Sequence, residues 1–114
     1  MTQIEAFNRT SELDLSNNQI SEVKHLDPSH NMSILNLAGN QISEIKHMPR
    51  LSKLDLSDNK IPKIENLSPQ ACMEELDLSS NQIQEINGLK GFEKLEILNL
   101  ADNRITKMKG LEDL

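Results

Sequence analysis

The stretch that decides the fold is residues 76–89, which read LDLSSNQIQEINGL. Its first three residues alternate apolar, polar and apolar, and this period of two is typical of a short β-strand with its leucines on one face. An asparagine follows at position 81, and apolar residues then recur at positions 83, 86 and 89. Because residues three apart share a face in a 3₁₀ helix, this second half predicts a short 3₁₀ segment or an extended turn.

The same pattern occurs five times along the chain. It starts at residues 13, 35, 54, 76 and 98 and reads L-x-L-x-x-N-x-I-x-x-I-x-x-L with small variations. The asparagines lie 22, 19, 22 and 22 residues apart, so the second repeat is three residues short and predicts a tightened turn before the third. They are Asn18, Asn40, Asn59, Asn81 and Asn103.

A pattern that recurs at a nearly fixed period indicates stacked units, because one unit cannot bury its own apolar face and its neighbours can. We therefore predict an α/β repeat solenoid, an arc with a concave parallel β-sheet and short 3₁₀ turns on its convex side. Residues 10–114 form the five repeats of one domain, and residues 1–9 are the tail of a preceding repeat or an N-terminal cap. Buried asparagines, with two donors and an acceptor each, satisfy the loop backbone.

The unit resembles the leucine-rich repeat family in its 22-residue type. Similar repeats occur in the regulatory leucine-rich repeat subunit of protein phosphatase type 1 and in the leucine-rich repeat light chain of axonemal dynein. The resemblance implies a protein that binds partner proteins through its concave sheet. It is carried by Leu13, Leu15, Asn18, Ile20, Val23, Leu26 and their equivalents in the other repeats.

Charge and cysteine content limit the partners and the cellular compartments that we expect for the chain. The formal net charge of −6 argues against nucleic acid, which needs a basic face, and against an anionic membrane surface. The single cysteine, Cys72, excludes an internal disulfide, and we expect it to be a buried or half-buried thiol. Without a secretory signal at the N-terminus, we expect a cytoplasmic protein, with the nucleus or a cilium as the other settings.

The two ends carry no obvious polar cap, although a terminal repeat exposes a layer of leucines. Three interpretations follow from this. The chain is a fragment of a longer solenoid, a short protein whose ends are covered by a partner or by end-to-end self-association, or a monomer with its own caps. The sequence leaves these three open.

The candidate site is the concave face, where strand alternation turns ten side chains outward. One interpretation is an acidic surface that binds a partner protein, with Ile34 and Ile97 as exposed apolar contacts. The other is that short polar side chains form hydrogen bonds along the sheet and only keep it soluble. The candidates are Glu12, Asp14, Ile34, Asn36, Lys53, Asp55, Glu75, Asp77, Ile97 and Asn99.

Catalytic and metal chemistry have little support in the sequence. Asp55 and Asp77 fall on adjacent predicted strands, an arrangement that some hydrolases use, but no histidine joins them. His25 and His47 share a convex position, whereas a zinc site needs three or four ligands. We expect no enzyme, no metal and no cofactor.

The favoured function is a protein–protein interaction module that scaffolds or regulates a partner protein, with phosphatase regulation as one candidate. The alternative is a structural scaffold in a cilium, axoneme or centrosome. The sequence does not identify the partner.

Overall fold

A computed structural model of the chain describes residues 3–4, 11–23, 33–45, 48, 50–64, 67, 72–87, 89 and 91–108. Nine short strands lie within these residues. They are β1 (Gln3–Ile4), β2 (Glu12–Asp14), β3 (Glu22–Val23), β4 (Ile34–Asn36), β5 (Lys53–Asp55), β6 (Glu75–Asp77), β7 (Glu85–Ile86), β8 (Ile97–Asn99) and β9 (Lys107–Met108).

The main sheet contains the five three-residue strands, which run parallel in the order β2-β4-β5-β6-β8. Its register pairs equivalent positions of the repeats, so that Leu35 lies opposite both Leu13 and Leu54. Strands β4 and β5 keep this register although their repeats are only 19 residues apart, so the deletion is absorbed between strands. In the predicted tightened turn from residue 48 to residue 51, Pro49 lies outside the described residues, so the turn stays a prediction. The predicted solenoid arc with a concave parallel sheet is confirmed.

The convex side has extended segments, the form that the spacing of three left open beside a short 3₁₀ segment. Two-residue strands pair there in parallel, β1 with β3 and β7 with β9. Among the described residues no segment is helical, so the short 3₁₀ turns are not confirmed and this part of the chain is a β-solenoid. An extended convex segment can satisfy its backbone N–H and C=O groups on the neighbouring repeat rather than within its own turn.

The core is a stack of apolar layers, one from each repeat. Phe92 belongs to the same cluster and is 1% exposed. Towards the last described layer the packing opens, and Leu98, Leu100 and Ile105 are only partly buried. In the fourth repeat the buried side chains, each at most 3% exposed, are Leu76, Leu78, Ile83, Ile86 and Leu89.

The asparagine after each of the last four main strands joins two repeats, whereas Asn18, after β2, is exposed and donates within its own repeat. Asn59 donates from Nδ2 to the carbonyl oxygens of Leu37 and Leu56, each at 3.0 Å. Its Oδ1 accepts the N–H of Ile42 at 3.0 Å. Because Leu37 and Ile42 belong to the preceding repeat, the buried side chain satisfies backbone groups in both layers. The predicted asparagine ladder is therefore confirmed from the second repeat onward, but not at Asn18. The equivalent residues, with equivalent partners, are Asn40, Asn81 and Asn103.

Cys72 is exposed, so the prediction of a buried or half-buried thiol is wrong. It lies in the loop that leads into β6, directly before Met73, whose side chain is fully buried. Cys72 lies in a turn, so its side chain faces solvent although that of the next residue is in the core. His25 and His47, the candidate convex pair, lie outside the described residues.

Candidate functional site

Two rows of side chains cross the main sheet on the face away from the core. The parallel register aligns equivalent residues of all five strands, so each row runs along the solenoid. The first row, from the first residue of each strand, is Glu12, Ile34, Lys53, Glu75 and Ile97. The second row, from the third residue of each strand, is Asp14, Asn36, Asp55, Asp77 and Asn99. Together they are the ten predicted site residues.

The middle of this face forms a concave groove of about 300 Å³. Glu12 and Asp14 extend the face on the β2 side, next to this groove. The structure therefore brings most of the predicted residues together around one hollow. Those that line it are Ile34, Asn36, Lys53, Asp55, Glu75, Asp77, Ile97 and Asn99.

The two isoleucines mark the two sides of the groove. Ile97 is 54% exposed. Among the described residues, it is the one large apolar side chain that is exposed to solvent. Ile34 is half-buried. They stand three strands apart, which at about 4.8 Å per strand separates them by about 14 Å.

An ion pair lies between the isoleucines in the first row. Lys53 Nζ is 3.7 Å from Glu75 Oε1, and the two side chains are 46% and 42% exposed. An exposed pair of this kind contributes ~0–1 kcal/mol to folding. It therefore balances the charge in the middle of the first row without being needed for the fold.

The carboxylates of the second row are held by their own loops. Asp77 Oδ1 accepts the backbone N–H of Ser79 at 2.9 Å and the hydroxyl of the same serine at 2.7 Å. Asp55 is held in the same way by Ser57, at 2.9 and 2.6 Å. Each of these is an Asx turn, in which a side-chain oxygen bonds the backbone two residues later. The alternative interpretation expected these side chains to form hydrogen bonds along the sheet. That prediction is wrong, because the bonds run forward along the chain to the residue two positions later.

The asparagines of the second row make the same turn, but each oxygen accepts only a backbone N–H, because an alanine stands in place of the serine. Asn36 Oδ1 accepts the N–H of Ala38, and Asn99 Oδ1 accepts the N–H of Ala101, both at 3.0 Å. At this place, every repeat reads either D-x-S or N-x-A. An asparagine can replace an aspartate here without losing the turn.

Asp14 shows the electrostatic effect of this turn. The hydroxyl of Ser16, and then its backbone N–H, hold the pKa of the Asp14 carboxyl below its ordinary value. Both donors bind Oδ1, at 2.7 and 3.0 Å, and stabilise the charged form. Asp14 is thus a carboxylate at neutral pH.

Comparison with known families agrees with this geometry. A model of the leucine-rich repeat matches residues 9–30, and a second model, of two copies of the repeat, matches residues 73–113. Together they cover more than half of the chain. It belongs to the leucine-rich repeat family. A search of curated proteins finds no match. Leucine-rich repeat domains generally mediate protein–protein interaction and are typically non-enzymatic.

The rim of this leucine-rich repeat sheet was not predicted as a special position. The residue before the asparagine of each repeat has a positive φ, between 54° and 67°. This left-handed conformation favours glycine and tolerates asparagine and aspartate. At Gly39 an added Cβ would collide with Asn17 Oδ1. The residues are Asn17, Gly39, Asp58, Ser80 and Asp102.

The serines that hold the second row were also missed. The signal was present in the sequence, because Ser16, Ser57 and Ser79 each follow an aspartate by two residues. Within the described part of the leucine-rich repeats, no group of three or more His, Cys, Asp or Glu residues is arranged to hold a metal ion. No helix among the described residues is long and apolar enough to cross a membrane.

Proposed function

We propose that this leucine-rich repeat solenoid binds a partner protein in its concave groove and thereby scaffolds or regulates that partner. The observation that carries the proposal is the exposure of Ile97, 54% open at the side of a groove that also holds carboxylates. An apolar side chain next to polar groups in a concave surface is the composition expected of a binding site.

A merely solvated sheet accounts for the second row but not for the isoleucines. At the same position of the first row, the other repeats carry Glu12, Lys53 and Glu75, so the fold does not require an apolar residue there. Full burial of an isoleucine is worth roughly 1.5–3 kcal/mol relative to exposure. A partner that covers Ile97 gains part of this free energy.

The charges of the face indicate the charge of the partner. Five of its ten residues are carboxylates and one is a lysine, so it attracts a basic surface. Two partner classes follow from the resemblance to known 22-residue repeats. One is a phosphatase catalytic subunit, which makes the chain a cytoplasmic regulator. The other is a motor or tubulin-associated assembly of a cilium, axoneme or centrosome.

Capture of partners on the immobilised chain tests the proposal. The test variant combines Ile97→Ser with Asp55→Asn and Asp77→Asn, because asparagine keeps the Asx turn at these positions as Asn36 and Asn99 do. The control variant combines Asp58→Asn with Asp102→Asn. It removes the same two negative charges on the rim, at residues that do not line the groove and whose left-handed φ suits asparagine.

We expect a protein that the wild type and the control retain from cytosolic extract and that the test variant loses. Its identification by mass spectrometry then decides between the two partner classes. Circular dichroism and thermal melting verify that all three chains are folded. Identical captures from wild type, control and test variant would contradict the proposal.

A further inference from the structure

The groove has two isoleucines, Ile34 and Ile97, at a fixed separation, and carboxylates on the strands between them. Together these features favour one kind of occupant. We infer that the groove takes an extended segment of the partner with the pattern apolar-x-basic-x-apolar, laid across the strands. The inference rests on the proposed function and names the partner chemistry of the same site.

The separation of Ile34 and Ile97 matches an extended chain. They are three strands apart, which corresponds to about 14 Å. In an extended peptide, residues i and i+4 point to the same side and lie about 13 Å apart. On an α-helix, same-face residues seven or eleven apart lie about 10.5 or 16.5 Å apart, so a helix matches the separation of the isoleucines less closely.

The centre of the groove favours a positively charged side chain at residue i+2 of that segment. Here the first row offers the paired Lys53 and Glu75, 3.7 Å apart, which largely balance each other. The second row offers Asp55 and Asp77 on neighbouring strands, about 6.6 Å further along the strand direction. An arginine or lysine that starts over the ion pair is long enough to bring its charge to these two carboxylates.

The two carboxylates are oriented before any partner arrives. Asp55 Oδ1 is fixed by Ser57 and Asp77 Oδ1 by Ser79, each through a backbone N–H and a hydroxyl. Among the described residues no group donates to the second oxygen of either side chain. Carboxylates that are already ordered lose little entropy on binding, and charge-assisted hydrogen bonds to a guanidinium are the strong kind.

Synthetic peptides with a defined core in a Gly/Ser background test the inference on the full chain. The reference core is Ile-Ser-Arg-Ser-Ile. The first comparison replaces arginine by glutamate, the second replaces both isoleucines by serine, and the third brings the isoleucines to a spacing of three. Fluorescence anisotropy at physiological salt measures the dissociation constants. We expect each comparison peptide to bind about tenfold more weakly or worse, as for loss of a charge-assisted pair or an apolar anchor.

Variants of the chain then assign the contacts. Asp55→Asn with Asp77→Asn removes the preference for arginine over serine at the central position, whereas Asp58→Asn with Asp102→Asn keeps it. Ile97→Ser removes the preference for isoleucine over serine at one end of the peptide. This pairing of chain and peptide changes isolates each contact from general effects on the fold.

Equal binding of all four peptides would overturn the inference. So would a preference for arginine that survives Asp55→Asn with Asp77→Asn, because the peptide would then bind elsewhere. If extract capture depends on the groove while the peptides do not discriminate, the extended occupant is wrong and the proposed function stands. If capture itself ignores the groove, the proposed function fails with it.

Discussion

The side-chain amide of Asn81 donates to the carbonyl oxygen of Leu56 at 3.0 Å, although the two residues are 25 positions apart in the chain. The same amide donates to Leu78, in its own repeat, at 3.0 Å, and its oxygen accepts the N–H of Ile61 at 3.0 Å. One buried polar side chain thus satisfies backbone groups in two layers. The stack is held by this ladder as well as by its leucines.

Replacement of Asn81 by aspartate tests the ladder, because it preserves shape and removes the donors. A carboxylate cannot donate to the carbonyls of Leu56 and Leu78, and its charge would be buried among them. We expect Asn81→Asp to lower the free energy of unfolding by about 3 kcal/mol or more, measured by urea titration.

Asn18→Asp is the matched control. The exposed Asn18 donates to Leu15 and Ser16 of its own repeat. We expect Asn18→Asp to lower the free energy of unfolding by less than about 1 kcal/mol, because water can donate to the carbonyl oxygens that lose the Asn18 amide. Equal losses for the two variants would contradict the ladder.

The Asx turn at Asp77 makes a second prediction. Asp77→Asn keeps the oxygen that accepts the N–H of Ser79 and should change the free energy of unfolding by less than about 0.5 kcal/mol. Asp77→Ala removes that acceptor and should cost about 1 kcal/mol, whereas Leu78→Ala, on the inward face, should cost ~2–5 kcal/mol. If Asp77→Ala cost as much as Leu78→Ala, the two faces would be reversed. Equal effects of asparagine and alanine at position 77 would argue against the turn.

The left-handed rim makes a third prediction. Ser80 has φ 55°, so Ser80→Gly should raise the free energy of unfolding by about 0.5–1 kcal/mol. Gly39→Ala should lower it by more than about 1 kcal/mol, because φ is 67° and the added Cβ would collide with Asn17. Ser43→Gly, at an exposed serine outside the rim, is the control and should destabilise. A loss of stability in Ser80→Gly would show that the rim conformation is different.

The lowered pKa of Asp14 makes a fourth prediction. A carboxyl whose pKa is lower in the folded chain stabilises the fold above the pKa it has in the unfolded chain. That contribution is lost as the pH falls through the folded pKa. Ser16→Ala removes the hydroxyl that is the largest cause of the shift, so the pKa of Asp14 should rise towards its ordinary value.

Carboxyl-detected NMR titration of Asp14 measures this change directly. Ser43→Ala, which removes an exposed hydroxyl elsewhere, should leave the pKa of Asp14 where it is in the wild type. An unchanged pKa in Ser16→Ala would mean that the hydroxyl does not reach the carboxylate in solution.

Much of the fold could be predicted because spacing fixes which way side chains point. Period two placed Leu76 and Leu78 inward, and period three placed Ile83 and Ile86 beside them, all now buried. The convex conformation could not be predicted in this way. A spacing of three suits both a 3₁₀ turn and an extended segment, and the choice depends on pairing with the next repeat, as β7 does with β9.

The outward direction of the ten site residues followed from the same alternation, but their local partners did not. That a carboxylate such as Asp55 turns to its own Ser57, rather than to the neighbouring strand, depends on the loop geometry after the strand. The exposure of Cys72 was missed because the prediction rested on the general tendency of free cysteines to be buried, whereas Cys72 lies in a turn before β6. The role of the groove in binding remains a proposal.

The most direct measurement of that role is an NMR titration of the ¹⁵N-labelled chain with the partner protein that capture identifies. We predict the largest changes in backbone amide shifts at residues 34–36, 53–55, 75–77 and 97–99, with little change on the convex side. Changes confined to the convex segments 20–23, 42–45, 61–64 and 83–86 would contradict binding in the concave groove.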